Sequence, residues 1–268
     1  MTMISKTITL RKNFTVSYLV HHPSRSKDSI IFIHGYGSAK EHFRFAFAST
    51  LLENYGLIAP DLVGFGHSAG PDDFGYSMKD QACVIIELLD VLGIDTFHLV
   101  AHSMGGLIAM EIAEMAPQRM LSLINMEGNL TPEDCFISGL ITRNTYEEFA
   151  AHGRSELEED FRKAGINDVS MSEYAGSFSL ASTTALYKSA YHTVNDSVTP
   201  LVKRFARNKN ICYIYGEKNK GKLPSEKLLR ASNVPIFYIE NSGHSMAAEN
   251  PGQLYQVIRT FIDELEFD

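Results

Sequence analysis

Short apolar runs alternate with helical patterns along the first half of the chain. The runs that predict strands are rich in β-branched or aromatic residues and lie at 7–10, 14–20, 29–33, 57–60, 97–101 and 120–126. Apolar residues at helical spacing predict helices over 40–54, 77–92 and 103–116. Because strands and helices alternate, the pattern predicts a largely parallel sheet with helices on both faces, preceded by a hairpin of the first two strands.

The alternation is interrupted between residues 129 and 209. Helical segments and turn residues occur there, with aromatic residues throughout, but the pattern predicts no buried strand. Strands at 211–215 and 234–239 and helices at 225–231 and 251–265 then resume the alternation. We therefore predict an α/β core formed by residues 1–128 and 210–268, with residues 129–209 as a helical insertion.

Composition narrows the class of protein. The chain has 268 residues, 44% of them hydrophobic, which is enough for one large core. Its formal net charge is −8 and no run of Lys and Arg exceeds two residues, so we expect no nucleic-acid partner.

The three cysteines, Cys83, Cys135 and Cys212, lie far apart without metal-ligand spacing, which argues against a disulfide framework and a zinc site. No stretch resembles a signal peptide or a membrane span, so we expect a cytoplasmic protein.

The strongest chemical signal is a serine between a predicted strand and a predicted helix, in Ala101-His-Ser-Met-Gly105. Small residues stand two positions before and two positions after Ser103, as a sharp strand-to-helix turn requires. Such a turn exposes the hydroxyl above the sheet and directs free backbone N–H groups of the helix towards an anion. Ser103 is therefore a candidate nucleophile, although serine is also a common helix cap.

Three further segments carry motifs of the same kind. They are His34-Gly-Tyr-Gly37 after the third predicted strand, Asp61-Leu-Val-Gly-Phe-Gly-His-Ser68 after the fourth, and Asn241-Ser-Gly-His-Ser-Met-Ala-Ala-Glu-Asn-Pro251 before the last helix. With the Ser103 turn, they make the chain resemble the α/β-hydrolase superfamily over essentially its whole length. The similarity is greatest to the branch of cap-bearing esterases, lactonases, C–C hydrolases and haloperoxidase-like enzymes. It implies a mostly parallel eight-stranded α/β-hydrolase sheet, with the insertion forming a helical cap.

The resemblance also implies roles for individual residues. It makes Ser103 the nucleophile and His244 the general base, and it assigns the oxyanion hole to the backbone N–H groups of Tyr36 and Met104. A loop after the last strand would let the His244 imidazole reach Ser103, accept its proton and return it to the leaving group. The turn that begins at Asp61 belongs to the scaffold in this interpretation.

The third member of the triad departs from the usual pattern. In related enzymes an aspartate ends the turn after the penultimate strand, but the matching segment here is Tyr215-Gly-Glu-Lys-Asn219. Some branches place the acid after the sixth strand instead, where this chain has Glu127. We predict a Ser103–His244–Glu127 triad. Asn219 as a weak orienter of the base and another carboxylate such as Glu217 stay open as alternatives.

The predicted chemistry is hydrolysis of a small, largely apolar carboxylic ester, or a related lactone, thioester or amide, through an acyl-enzyme. Aromatic residues of the insertion would contribute to a mainly apolar pocket for this small-molecule substrate. Alternatives are a C–C bond hydrolase or lyase with the same triad, or a low-turnover ligand receptor of the same fold. The mechanism requires no cofactor and no metal, and the sequence leaves the oligomeric state open.

Overall fold

Eight strands form one sheet in the computed structural model, which describes residues 3–22, 28–197 and 201–266. In chain order they are β1 (Ile4–Thr9), β2 (Thr15–His21), β3 (Ser29–Ile33), β4 (Gly56–Pro60), β5 (Phe97–His102), β6 (Met120–Met126), β7 (Ile211–Gly216) and β8 (Ile236–Ile239). Their order across the sheet is β1-β2-β4-β3-β5-β6-β7-β8. β1 pairs antiparallel with β2, and β2 pairs antiparallel with β4. All neighbours from β4 to β8 are parallel, which confirms the predicted sheet.

Helices connect the strands and close the chain. They are α1 (Met78–Val91), α2 (Met104–Met115), α3 (Phe136–Ile141), α4 (Tyr146–Glu148), α5 (Arg154–Ala164), α6 (Val169–Leu180), α7 (Thr183–Asp196), α8 (Val202–Phe205), α9 (Pro224–Ala231), α10 (Met246–Glu249) and α11 (Pro251–Glu266). A π-helical turn, Phe149–Gly153, joins α4 to α5. None of the helices in the described ranges is both long enough and apolar enough to cross a bilayer.

The predicted helix over residues 40–54 is wrong. The segment forms three short 3-10 helices instead, Lys40–Phe43, Ala46–Ala48 and Thr50–Leu52. Ser49 has an extended backbone, with ψ at 118°, and therefore interrupts any continuous helix. Apolar residues three or four positions apart fit such turns as well as an α-helix, so the spacing alone did not distinguish the two structures.

The sheet separates two apolar clusters. Ile31 and Ile33 of β3 pack into one cluster, whereas Ile30 and Phe32 pack into the other on the opposite face. Successive side chains of a strand point to opposite faces, so a strand that is apolar at every position is buried on both. The central strands therefore have little freedom to move, and they hold the loops at their carboxyl ends in place.

Helices α3 to α8 lie between β6 and β7, in the predicted insertion. They are attached to the sheet region by long-range hydrogen bonds. The Tyr36 hydroxyl donates to the Leu186 carbonyl at 2.6 Å, and the Ser182 N–H donates to the Gly64 carbonyl at 2.8 Å. Residues 198–200 of the predicted insertion lie outside the described residues. The division at residues 128 and 210 stays a prediction.

A buried carboxylate joins the loops that follow β3 and β4. Asp61 accepts the Lys40 N–H at 2.7 Å on Oδ1, and on Oδ2 it accepts the Lys40 ammonium at 2.8 Å and the His67 N–H at 2.9 Å. His34 adds a second connection, because its Nε2 accepts the Leu62 N–H at 3.0 Å. These bonds fix the position of the loop 34–37, which lies next to Ser103.

Replacing Asp61 tests this connection. We expect Asp61→Asn to lower the free energy of unfolding by about 1–3 kcal/mol, because the amide nitrogen cannot accept the hydrogen bonds that Oδ2 accepts, while the Lys40 ammonium keeps its ion pair with Glu41. Urea unfolding followed by circular dichroism at pH 7 measures the change. Asp73→Asn alters an exposed carboxylate and should change stability by less than about 0.5 kcal/mol. If both substitutions changed the free energy of unfolding equally, the role of Asp61 in joining the two loops would be contradicted.

Candidate active site

Ser103 occupies the sharp turn between β5 and α2. Its backbone angles are φ 53° and ψ −125°, in a region that side-chain-bearing residues rarely adopt. Two hydrogen bonds hold this conformation: the Ser103 N–H donates to the Met126 carbonyl at 3.0 Å, and the Gly106 N–H donates to the Ser103 carbonyl at 2.8 Å. Gly105 is required because a Cβ there would lie 2.5 Å from the Ile33 carbonyl oxygen. The predicted turn is therefore present, with its serine on the carboxyl edge of the sheet.

Glu127 lies one strand further along the same edge. It follows β6 directly, and its φ of 43° turns the chain sharply at the strand end. Its backbone N–H donates to the Ile214 carbonyl at 3.0 Å, which aligns it with β7. Its carboxylate is almost completely buried and accepts the Gly216 N–H at 2.8 Å on Oε1.

His244 meets this carboxylate from the loop after β8. Nδ1 of His244 lies 2.8 Å from Oε2 of Glu127, although the two residues are 117 positions apart in the chain. Neighbouring backbone bonds fix the loop: the Lys218 N–H donates to the Ser242 carbonyl at 2.9 Å, and the Gly243 N–H donates to the Glu249 carboxylate at 2.8 Å. The structure thus brings together the two residues that sequence analysis predicted as base and acid.

The two alternatives for the acid lie in different environments. The amide nitrogen of Asn219 is 3.0 Å from Oε1 and 2.9 Å from Oε2 of Glu127, so Asn219 contacts the carboxylate while Nδ1 of His244 is occupied by Glu127. Glu217 accepts the Asn241 N–H at 3.2 Å, at the base of the loop that carries His244. Of these side chains, Glu127 is the one in hydrogen-bond contact with the imidazole.

The two predicted oxyanion donors border Ser103. Met104 opens α2, where the first N–H groups of a helix have no acceptor within the helix. Tyr36 follows Gly35, which is so close that a Cβ on it would lie 2.9 Å from the Ser103 Cβ. Among the described residues, neither the Tyr36 N–H nor the Met104 N–H donates to a protein acceptor. Both groups are therefore free to bind a ligand.

Ser103 and His244 line one cavity of about 590 Å³, which lies between the sheet edge and the inserted helices. Phe136, Ile137 and Leu180 of the insertion contribute apolar wall. Charged side chains that sequence analysis did not single out also line it: Glu41, Arg44 and Glu173. Arg44 and Glu173 form an ion pair that connects the segment after β3 to α6. Asp134 lines the cavity as well, but the cavity surface as a whole is mostly apolar.

Two histidines, the buried His102 and the partly buried His42, pack beside the base. The ring of His102 lies between those of His42 and His244, with centroids 4.5 Å away on each side. Its Nε2 faces the His244 backbone carbonyl at 2.8 Å and so carries the hydrogen. Burial lowers the pKa of His102 well below its usual value and lowers the pKa of His42 to about 3. Both rings are therefore neutral at physiological pH and act as packing and positioning groups.

The site offers no evident place for a metal ion. Within the described ranges, no group of three or more His, Cys, Asp and Glu side chains is arranged to hold one. The polar groups that converge at the sheet edge are a hydroxyl, an imidazole, a carboxylate and two free backbone donors. This set can activate a nucleophile and stabilise a developing oxyanion.

Comparisons with known proteins identify the family of the chain. The profile of the alpha/beta hydrolase fold family matches residues 28–218. A putative esterase/lipase of Haemophilus influenzae is 26% identical over 255 residues, covering 88% of this chain and 83% of that protein. A probable lysophospholipase of Arabidopsis thaliana, BODYGUARD 4, is 37% identical over 108 residues, or 40% of this chain. That match spans only 25% of the relative's own length.

Solved structures share the architecture. A carboxylesterase of the thaumarchaeon Nitrososphaera gargenis superposes with a TM-score of 0.79 at 17% identity, covering 98% of this chain and 100% of that chain. A putative lipase of Acinetobacter baumannii superposes with a TM-score of 0.77 at 22% identity, covering 99% of this chain and 92% of that chain. At these identities the similarity establishes the fold.

The histidines beside the base predict a pH dependence of stability. A histidine whose pKa is lower in the folded state binds its proton more readily when unfolded, so its contribution is complete above about pH 6.5 and declines as pH falls. We expect the free energy of unfolding to decrease below pH 6.5, by about 1.4 kcal/mol per pH unit from His42 alone. Urea unfolding between pH 7 and pH 5 measures this slope.

A substitution separates this contribution from those of other groups. His42→Phe keeps an aromatic ring but cannot bind a proton, so its stability should fall less steeply with decreasing pH than that of the wild type. His152→Phe, which changes an exposed histidine, should keep the wild-type slope. Parallel curves for the wild type and His42→Phe would refute the prediction.

Proposed function

The chain belongs to the alpha/beta hydrolase fold family, and we propose that it is a hydrolase that cleaves carboxylic esters through an acyl-enzyme on Ser103. The observation that carries the proposal is the 2.8 Å hydrogen bond between Nδ1 of His244 and Oε2 of Glu127. A buried carboxylate in this position fixes the imidazole tautomer, so that the other ring nitrogen is free to act as a base. That imidazole lines the same cavity as Ser103.

The proposed reaction has two half-reactions. In the first, the Ser103 hydroxyl attacks the ester carbonyl while Nε2 of His244 accepts its proton, and the N–H groups of Tyr36 and Met104 bind the resulting oxyanion. The tetrahedral intermediate then expels the alcohol, which takes the proton from His244. In the second, His244 removes a proton from water, the hydroxide attacks the acyl group, and the proton returns to Ser103.

The substrate class is proposed from the cavity and from the relatives. A volume of about 590 Å³ suits a small molecule. The similarity to a putative esterase/lipase and to the fold of a carboxylesterase favours an ester over an amide. Phe136, Tyr174 and Leu180 supply part of the cavity wall, which supports the proposal that residues 129–209 act as a cap over the nucleophile.

Substitutions of the proposed triad test the mechanism. We expect Ser103→Ala to lower kcat for p-nitrophenyl butyrate roughly 10⁴-fold or more, because no nucleophile remains. Glu127→Gln should lower kcat by roughly 10²- to 10⁴-fold, because an amide no longer stabilises the imidazolium. Glu217→Gln, the control at the alternative carboxylate, should stay within about threefold of the wild type. Full activity of Glu127→Gln would reject Glu127 as the acid.

Rapid quenching followed by intact-mass measurement distinguishes an acyl-enzyme from direct water attack or elimination. The wild type should accumulate a butyryl adduct on Ser103 within the first turnovers, and Ser103→Ala should show none.

The length of the acyl chain tests the cavity. We expect kcat/KM for p-nitrophenyl esters to rise from acetate as each added methylene is buried, by about 0.8 kcal/mol per methylene, and to fall once the cavity is filled. Leu180→Trp places a larger side chain in the cavity wall, and this should shift the optimum to a shorter acyl chain. Leu228→Trp changes a partly exposed leucine outside the cavity and should leave the optimal chain length unchanged. An unchanged profile in Leu180→Trp would show that the chain binds elsewhere.

A further inference from the structure

The carboxylate of Glu127 is held by three donor residues on two segments, the end of β7 with the turn that follows it and the loop after β8. Its side chain is 1% exposed, and it accepts the Gly216 N–H, Nδ1 of His244 and the Asn219 amide. No Lys or Arg in the described parts of the chain forms an ion pair with it. Burying an ionised carboxylate without such partners is costly, so these dipoles and the imidazole provide its charge compensation.

Asn219 makes two of these contacts. A carboxylate can only accept hydrogen bonds, so the side-chain nitrogen of Asn219, and not its oxygen, faces Glu127. The nitrogen lies 3.0 Å from Oε1 and 2.9 Å from Oε2, and therefore spans both oxygens. Hydrogen bonds to the charged form favour ionisation of a carboxyl group.

Apart from His244, the titratable groups around Glu127 do not compensate its charge. His244 faces it directly, and the phenols of Tyr213 and Tyr215 lie on the neighbouring strand β7. Burial raises the pKa of both phenols, so both are neutral at physiological pH. Asn219 is also absent from the cavity wall formed by the described residues, so it can influence the reaction only through Glu127.

We propose that Asn219 is a positioning residue whose amide holds the Glu127 carboxylate aligned with Nδ1 of His244. The inference rests on the triad proposed above. It also explains why an uncharged residue stands at position 219 when the carboxylate is at position 127. Two carboxylates about 3 Å apart cannot both ionise near neutral pH, so an acid at position 219 would compete with Glu127 instead of assisting it.

The test is the pH profile of kcat/KM for p-nitrophenyl butyrate in Asn219→Asp and Asn219→Leu. In Asn219→Asp the carboxylate pair retains a proton to higher pH. The acid limb of the profile, where kcat/KM rises with pH, should therefore move up by about one pH unit or more. Asn219→Leu removes the donor without adding charge. Its kcat should fall roughly tenfold, with KM within about twofold of the wild type, since Asn219 does not line the cavity.

Asn208→Asp is the matched control. It introduces the same charge at an asparagine whose amide donates to the backbone carbonyl of Phe205 at 2.9 Å, and its acid limb should coincide with that of the wild type. An unmoved acid limb in Asn219→Asp, or higher activity than the wild type at pH 7, would overturn the proposal. If Asn219→Asp does not fold, Asn219→Leu decides the matter, because equal losses through KM and kcat at every pH would indicate a purely structural role.

Labelling separates this inference from the proposed function. Wild-type Ser103 should react with a fluorophosphonate, and Ser103→Ala should lose turnover. If both results hold while the acid limb of Asn219→Asp is unmoved, only the role of Asn219 is wrong. Normal turnover by Ser103→Ala would reject the proposed function itself.

Discussion

An ionised carboxylate enclosed by protein needs several hydrogen-bond donors, and at Glu127 those donors come from distant parts of the chain. The Gly216 N–H ends β7, Asn219 follows it, and His244 lies in the loop after β8. The three groups converge only because β6, β7 and β8 are adjacent and parallel, so that their carboxyl ends lie at one edge. The order of the strands therefore has a direct chemical consequence, since any other neighbour for β6 would leave the carboxylate without partners.

The same edge holds two residues in unusual backbone conformations. Ser103 ends β5 with a φ of 53°, and Glu127 ends β6 with a φ of 43°. Each such residue costs about 1–3 kcal/mol, and the surrounding sheet has to offset that cost. The Ser103 N–H bonds to the Met126 carbonyl and the Glu127 N–H to the Ile214 carbonyl, so each turn is held by the next strand in the sheet. Neighbouring strands thus hold Ser103 at the cavity and Glu127 against His244.

Much of the architecture could be predicted from local patterns. The apolar runs located all eight strands. The signal is clearest for central strands such as β3 and β4, which are buried at every position. The segment 40–54 was assigned to the wrong kind of helix, since apolar spacing does not separate an α-helix from successive 3-10 turns. The signal for Ser103 was also local, a strand end with small neighbours, whereas the roles of His244 and Glu127 followed from the resemblance to the α/β-hydrolase superfamily. The contribution of Arg44 and Glu173 to the cavity left no such signal, because their contact joins segments 129 residues apart.

Local patterns alone predicted the alternation of strands and helices, the serine turn, and the lack of an acid at position 219. The sequence also supplied the carboxylate at position 127, but not its relation to Asn219. Only the tertiary structure decided that the amide of Asn219 faces this carboxylate and that His102 packs between His42 and His244. The difference lies in how far along the chain each effect acts. Burial and backbone preference act between neighbours in the chain and can be read from spacing, whereas the partners of a buried charge depend on which strand ends the fold brings together.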